Sequence, residues 1–254
     1  MIRADIRRAA AQARRGIAKL ARPAGEFDAR RYFRGELDLR FYNVGTEPMR
    51  RFARAICDAH KAGWSVDDAN AFAGILIEDD YLDVKSVGIE VVARYRRDFA
   101  PRLLPAWKRW LSENHSANWA TTDAICGALI GPLLVQHPDF ADQMRGWARH
   151  RNLWVRRAAA VSLIPMIRRG QAMELAYDVA RALHPDHHDL IHKAVGWMLR
   201  EAGKTDAPRL ERYLRTEGPA IPRTTVRYAI ERFPPRLRRQ LLGITRGTQR
   251  APAK

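Results

Sequence analysis

In the stretch Asn118-Trp119-Ala120-Thr121-Thr122-Asp123 an indole and a carboxylate stand four residues apart. If a helix starts here, that spacing places both on one face. The helix that follows is apolar nearly all round: Cys126, Ile130 and Leu133 continue the same face, and Ala124, Ile125, Ala128 and Leu129 occupy the others. A carboxylate in such company is poorly solvated, and it costs free energy unless a cation pairs with it or a reaction uses it. Arg157 is the candidate cation. A second constellation is Lys193, Trp197 and Arg200. The apolar stripe of their helix is Ile191, Ala194, Val195, Met198 and Ala202, and at ~100° per residue Trp197 projects about 130° from its centre. A ring off the core stripe with cations beside it suits a nucleic acid, the ring covering sugar or base while the cations hold phosphate. The alternative is a tryptophan that bridges to the next pair of helices.

The elements that would carry these residues are helices throughout. Ile2, Ile6, Ala9, Ala13, Ile17 and Leu20 keep helical spacing, with Arg3, Arg7, Arg14 and Lys19 elsewhere on the helix, so residues 1–22 read as a basic amphipathic helix docked on the body. Arg22-Pro23-Ala24-Gly25 breaks the pattern, and Tyr32 to Gly45 is irregular and rich in aromatics. Thr46, with Glu47 and Pro48 in the first turn, opens a helix to about Lys61. Ser65 caps the next, and Asp79, Asp80 and Asp83 precede another that runs through Val92. Five segments then overlay at a period in the thirties: Val84–Ala93, Ala120–Leu129, Trp154–Leu163, Ile191–Arg200 and Arg223–Arg232. Each reads as the second helix of a pair, and such pairs bury their apolar faces by stacking into a curved solenoid with a concave inner surface. Asp123 and Arg157 occupy the same position of consecutive segments, which stacking would bring together. Nothing alternates with period two for long, so the expectation is all-α without a sheet. Residues 1–244 form one helical-repeat domain on this reading, and 245–254, with Arg246, Arg250 and Lys254, a mobile basic tail.

The balance of 45 basic against 28 acidic residues gives a net charge of +17, which favours a polyanionic partner and makes the inner groove basic. Because only seven of the 45 are lysine, an arginine-biased genome is the competing explanation. Cys57 and Cys126 fall within apolar helical patterns and make neither a disulfide framework nor a metal pair, which fits a reducing cytoplasm. No apolar run reaches the roughly 18 residues of a membrane span. The arginine-rich start could pass for a transit peptide, but no h-region or cleavage site follows it. His184, His187, His188 and His192 with Asp186 and Asp189 suggest a metal cluster at first sight; without an HExxH or a cysteine partner they read as a polar loop at Pro185. No Walker loop, dinucleotide fingerprint or nucleophile elbow occurs, which argues against the common nucleotide and hydrolase chemistries. Trp107, Trp110, Trp147 and Trp154 fit helix interfaces.

Taken together these motifs resemble the AlkD-like DNA alkylation repair glycosylases, built of HEAT-like helical repeats. Tyr32-Phe33 with Phe41-Tyr42-Asn43-Val44-Gly45-Thr46-Glu47-Pro48-Met49-Arg50 is similar to the family's N-terminal signature, and Asp83 to Gly88 to its next characteristic helix. Trp119 with Asp123, then Asn152 to Arg157, then Lys193 to Glu201 match its active-site helices in order and spacing. The resemblance implies a HEAT-like solenoid with a basic concave groove. It implies that Asp123 is the catalytic carboxylate, that Trp119 and Trp197 flank the lesion nucleotide's backbone, and that Arg157 supports the site or holds phosphate. Tyr32, Lys193 and Arg200 would contact DNA. The family is associated with excising cationic N3- and N7-alkylated purines from double-stranded DNA, without extruding the base into a pocket. The protein would then be a cytoplasmic, nucleoid-associated bacterial monomer that needs no metal or other cofactor. Asn118 to Thr122 departs from the paired tryptophan and valine familiar there, which alters how the groove is lined.

The chemistry asks for few groups. Alkylation at a ring nitrogen already makes the purine a good leaving group, so no acid is needed to protonate it. The sugar becomes oxocarbenium-like, and a nearby carboxylate stabilises that charge and orients water while indole faces add cation–π stabilisation. The rival from the binding class is a non-catalytic HEAT-repeat protein for damaged or branched DNA, which would not need Asp123. A peptide-binding scaffold is a third possibility, which the charge opposes unless its partner is acidic.

Overall fold

The computed structural model describes residues 2–23, 33, 39–116 and 118–245. Among them the regular structure is helical, with one isolated parallel bridge between Arg40 and Tyr81. The chain forms two compact units, 1–136 and 137–254.

The first unit holds α1 (Ala4–Ala18), α2 (Thr46–His60), α3 (Val66–Leu76), α4 (Leu82–Ala93), α5 (Leu104–Ser112), α6 (Trp119–Ile125) and α7 (Gly131–Gln136), the last two joined by a π-helical segment, Cys126–Ile130. Of the apolar stripe expected of α1, Ile6, Ala9, Ala13 and Ile17 are buried, while Ile2 and Leu20, beyond the helix ends, are exposed. Arg14 fastens this helix to the body, donating to Asp79 and to the Ile75 carbonyl at 2.8 Å each. Thr46, expected to open α2, is its first helical residue; the cap position is Gly45, whose φ of 82° suits a residue without a Cβ. Ser65 caps α3 as its position suggested, in a reciprocal box with Asp68. α4 packs against α3 at Gly88, where a Cβ would lie 3.1 Å from the Ala73 Cα, and then against α6.

The second unit holds α8 (Gln143–Trp147), α9 (Leu153–Val161), α10 (Ile164–Ile167), α11 (Met173–Leu183), α12 (Asp189–Thr205), α13 (Ala207–Glu217), α14 (Arg223–Ala229) and α15 (Pro235–Ile244). The five overlaid segments begin in α4, α6, α9, α12 and α14, and their partners α3, α8 and α11 pack against α4, α9 and α12. The unit is therefore a helical repeat in which α12 lies between α9 and α14. Its approach to α14 is close because residue 196 is glycine. A Cβ there would sit 2.5 Å from the Tyr228 Cβ and 2.8 Å from the Thr225 carbonyl oxygen. The expected tail beyond Thr245 lies outside the described residues.

Candidate active site

The start of α6 is fixed by a buried asparagine. Asn118 Oδ1 accepts from the Thr121 amide at 2.8 Å, while Nδ2 donates to the Ser116 carbonyl and to Thr121 Oγ1. Thr122 returns its hydroxyl to the Asn118 carbonyl at 2.9 Å. These bonds turn Thr121, Thr122, Ile125 and Cys126 into the core and leave Trp119, Ala120, Asp123, Ala124 and Gly127 on the open side. Trp119 and Asp123 thus share one face, as their spacing required. That face is better solvated than an all-round apolar helix would allow. Asp123 is half-buried and lies along an edge of alanine and glycine, so a ligand could approach the carboxylate.

Three residues the sequence reading gave no role prepare this edge. Phe33 is buried and stacks on Trp119 with ring centroids 5.3 Å apart, and its other neighbour is Phe41, also at 5.3 Å. The loop that carries Phe41 is pinned by Asp83, whose carboxylate accepts from the Tyr42 and Val44 amides at 2.8 and 3.1 Å. Tyr42 stacks on Tyr81 at 3.9 Å. Lys85 reaches from the same turn of α4 to the Ile77 carbonyl at 2.7 Å and the His115 carbonyl at 2.6 Å. It ties the end of α3 to the strand of chain entering α6, and burial pulls its ammonium below the usual lysine range. The signal that could have found Asp83 and Lys85 is their charge at buried positions of an apolar helix. Tyr32, expected to touch DNA, lies outside the described residues.

In the second unit, Arg157 is buried on α9 and donates Nη1 to the Leu190 carbonyl at 2.5 Å, bracing the first turn of α12. On α12 the stripe Ile191, Ala194, Val195, Met198 and Ala202 is buried while Trp197 is only half-buried, which agrees with its expected projection away from the core. Lys193 and Arg200 flank it, each with a carboxylate partner. Lys193 pairs with Asp189 at 2.7 Å, a contact that raises its pKa, and Arg200 pairs with Glu231. Both cations are held in place yet reach solvent, so a phosphate would compete with these carboxylates for them.

His184, His188 and His192 each have a structural contact. His188 caps α12 by accepting the Leu190 amide, His192 bonds the Asp186 carbonyl, and His184 is buried against the Tyr213 hydroxyl at 2.6 Å. Asp186 is held by Arg156 at 2.6 Å. Among the described residues no three His, Cys, Asp or Glu side chains converge on a metal position.

The family model for DNA alkylation repair enzymes matches residues 13–233. A solved structure described as a predicted DNA alkylation repair enzyme from Enterococcus faecalis is similar, with a TM-score of 0.73 and 15% identity over 85% of this chain and 98% of that one. A protein from Streptococcus mutans aligns at a TM-score of 0.49 and 14% identity over 79% of this chain and 98% of that one. No curated protein matches the sequence significantly. At 15% identity the likeness to the Enterococcus faecalis structure speaks for the fold.

Proposed function

Because the chain belongs to the family of DNA alkylation repair enzymes, we propose that it is a DNA glycosylase excising cationic N3- and N7-alkylated purines from duplex DNA. The observation that carries the reading is Asp123, a half-buried carboxylate beside Trp119 on an edge of small residues, in a chain of net charge +17. A cationic purine leaves with the electron pair of its N-glycosidic bond and becomes neutral, so the positive charge passes to the sugar. Asp123 stabilises that charge and orients the water that attacks the sugar carbon; the water's proton passes to the carboxylate or to solvent. Trp119, its plane set by Phe33, covers the nucleotide beside this carboxylate. In the second unit Trp197 packs on the DNA backbone, Lys193 and Arg200 beside it hold phosphates, and Arg157 braces their helix. Membership in the family supports DNA as partner, and no helix among the described residues is long and apolar enough to cross a membrane.

The experiment is release of 7-methylguanine from duplex DNA by the parent protein and by Asp123→Asn. The variant keeps shape and polarity without the charge, so excision should slow by on the order of a hundredfold while DNA affinity holds. Equal rates would make the carboxylate structural and overturn the mechanism.

A further inference from the structure

The nucleic-acid face of the second unit does not end at Trp197. α14 lies alongside α12 in close register: Thr225 Oγ1 donates to the His192 carbonyl at 3.0 Å, the backbone at Gly196 meets the Tyr228 Cβ, and Arg200 pairs with Glu231. The helix edge carrying Lys193, Trp197 and Arg200 is therefore continued by the one carrying Tyr228 and Glu231. Tyr228 is 38% exposed, unusual for a large aromatic, and it stands over a glycine, the one residue type that lets its backbone come so close. Beside it a cavity of about 230 Å³ opens between α14 and α15, lined by Arg227, Tyr228, Ile230, Glu231, Arg238 and Leu242.

The charge of this corner selects its occupant. Residues 223–245 contain six arginines and a single carboxylate, Glu231, already engaged by Arg200. Arg227 and Arg238 make no ion pair among the described residues, although most arginines of the preceding helices α9 to α13 are paired or bonded to carbonyls. An exposed ring flanked by uncompensated guanidinium groups fits a sugar-phosphate backbone: the ring packs on sugar while the cations take phosphate oxygens.

We infer that the cavity between α14 and α15, built around Tyr228 with Arg227 and Arg238, is a second DNA-backbone site that receives the duplex flanking the nucleotide at Trp197. It rests on the reading that this face binds duplex DNA, and it extends the contact one helix beyond Lys193, Trp197 and Arg200. Its contribution is sequence-independent, since neither ring nor guanidinium groups need a base edge.

The test titrates the full chain against a labelled, undamaged duplex of about 20 base pairs by fluorescence anisotropy at several salt concentrations. Tyr228→Ala keeps the Cβ that packs on Gly196 and should weaken binding about fivefold or more, while Tyr228→Phe stays within about threefold. Arg227→Ala with Arg238→Ala should flatten the dependence of log affinity on log salt by about 1.8, at ~0.9 per phosphate released. Arg212→Ala, on the exposed side of α13, serves as the charge-loss control and should leave the slope in place. Thermal melts confirm that each variant is folded. Parent-like affinity for Tyr228→Ala, an unchanged slope for the double variant, or displacement of DNA by polyglutamate at equal charge concentration would each overturn the site. The proposed glycosylase activity fails separately: if the parent releases no 7-methylguanine while the Tyr228 and arginine variants lose affinity for undamaged duplex, that activity falls and this site stands. A parent protein that binds no duplex overturns both.

Discussion

Acid should unfold this protein partly through one histidine. His184 ends α11 with 8% of its surface exposed, its Nε2 at 2.6 Å from the Tyr213 hydroxyl. Burial pushes the imidazole from its ordinary 6.5 down to about 4; Glu217 opposes the shift, and Arg181 and His192 add to it. The folded value lies below the unfolded one, so the unfolded chain takes up the proton first as pH falls. Stability is thus complete above pH 6.5 and is lost as pH drops through the window to 4. The gap of about 2.5 units corresponds to roughly 3 kcal/mol once pH is below 4, and about 2 kcal/mol is already gone at pH 5. His184→Gln offers Tyr213 a polar partner that cannot take up a proton. Urea melts of parent and variant from pH 8 to 4 should give curves that converge as pH falls, because the parent loses a term the variant never had. Carboxylates and the remaining histidines titrate in both proteins and cancel in the difference. If the two stabilities fall in parallel between pH 6.5 and 4, His184 is not buried as a neutral ring and the reasoning is wrong.

Gly196→Ala must move α14 as a body, since a Cβ meets both the Tyr228 Cβ and the Thr225 carbonyl; overpacking of about 1–3 kcal/mol outweighs much of the ~1 kcal/mol gained in helix propensity, and urea melting should show a net loss. Lys85→Met leaves the Ile77 and His115 carbonyls without their donor and should cost about 2–4 kcal/mol. Because burial lowers the Lys85 pKa below 10.5, the parent should also gain stability as pH rises toward that value, and melts of the variant should lack that gain. For about six phosphate contacts, affinity for duplex DNA should fall on the order of a thousandfold between 50 and 200 mM salt; a flat response in the anisotropy titration would favour a protein-binding scaffold.

What was legible in the sequence follows from the range over which each interaction acts. The Trp119–Asp123 face, the projection of Trp197 and the capping by Ser65 depend on spacings within one or two helical turns, and the structure reproduces each. The five-fold overlay was legible because stacking repeats the same apolar demand in every pair, and those segments begin within α4, α6, α9, α12 and α14. The π-helical segment at Cys126 was not, since widening a helix by one residue leaves the apolar pattern of Cys126, Leu129 and Ile130 intact. Nor was the Phe33–Trp119 stack, whose partners are far apart in the chain; composition marked the aromatic stretch without saying which ring it would meet.

The two buried charges of α4 mark the sharper boundary. The sequence puts Lys85 within this helix and Asp83 just before it, where the structure has Asp83 in the first turn; burial requires each to find a partner, but their partners are backbone groups of segments that carry no pattern. Their effect nevertheless reaches the candidate site. Asp83 holds the loop of Phe41, which packs on Phe33, which in turn packs on Trp119; Lys85 holds His115, three residues before the Asn118 cap. A carboxylate that acts on a developing charge must be placed before that charge appears. Under the proposed reading of Asp123, the backbone-directed ionic contacts of α4 help to set the start of α6, so substitutions at Asp83 or Lys85 would slow excision without removing the carboxylate.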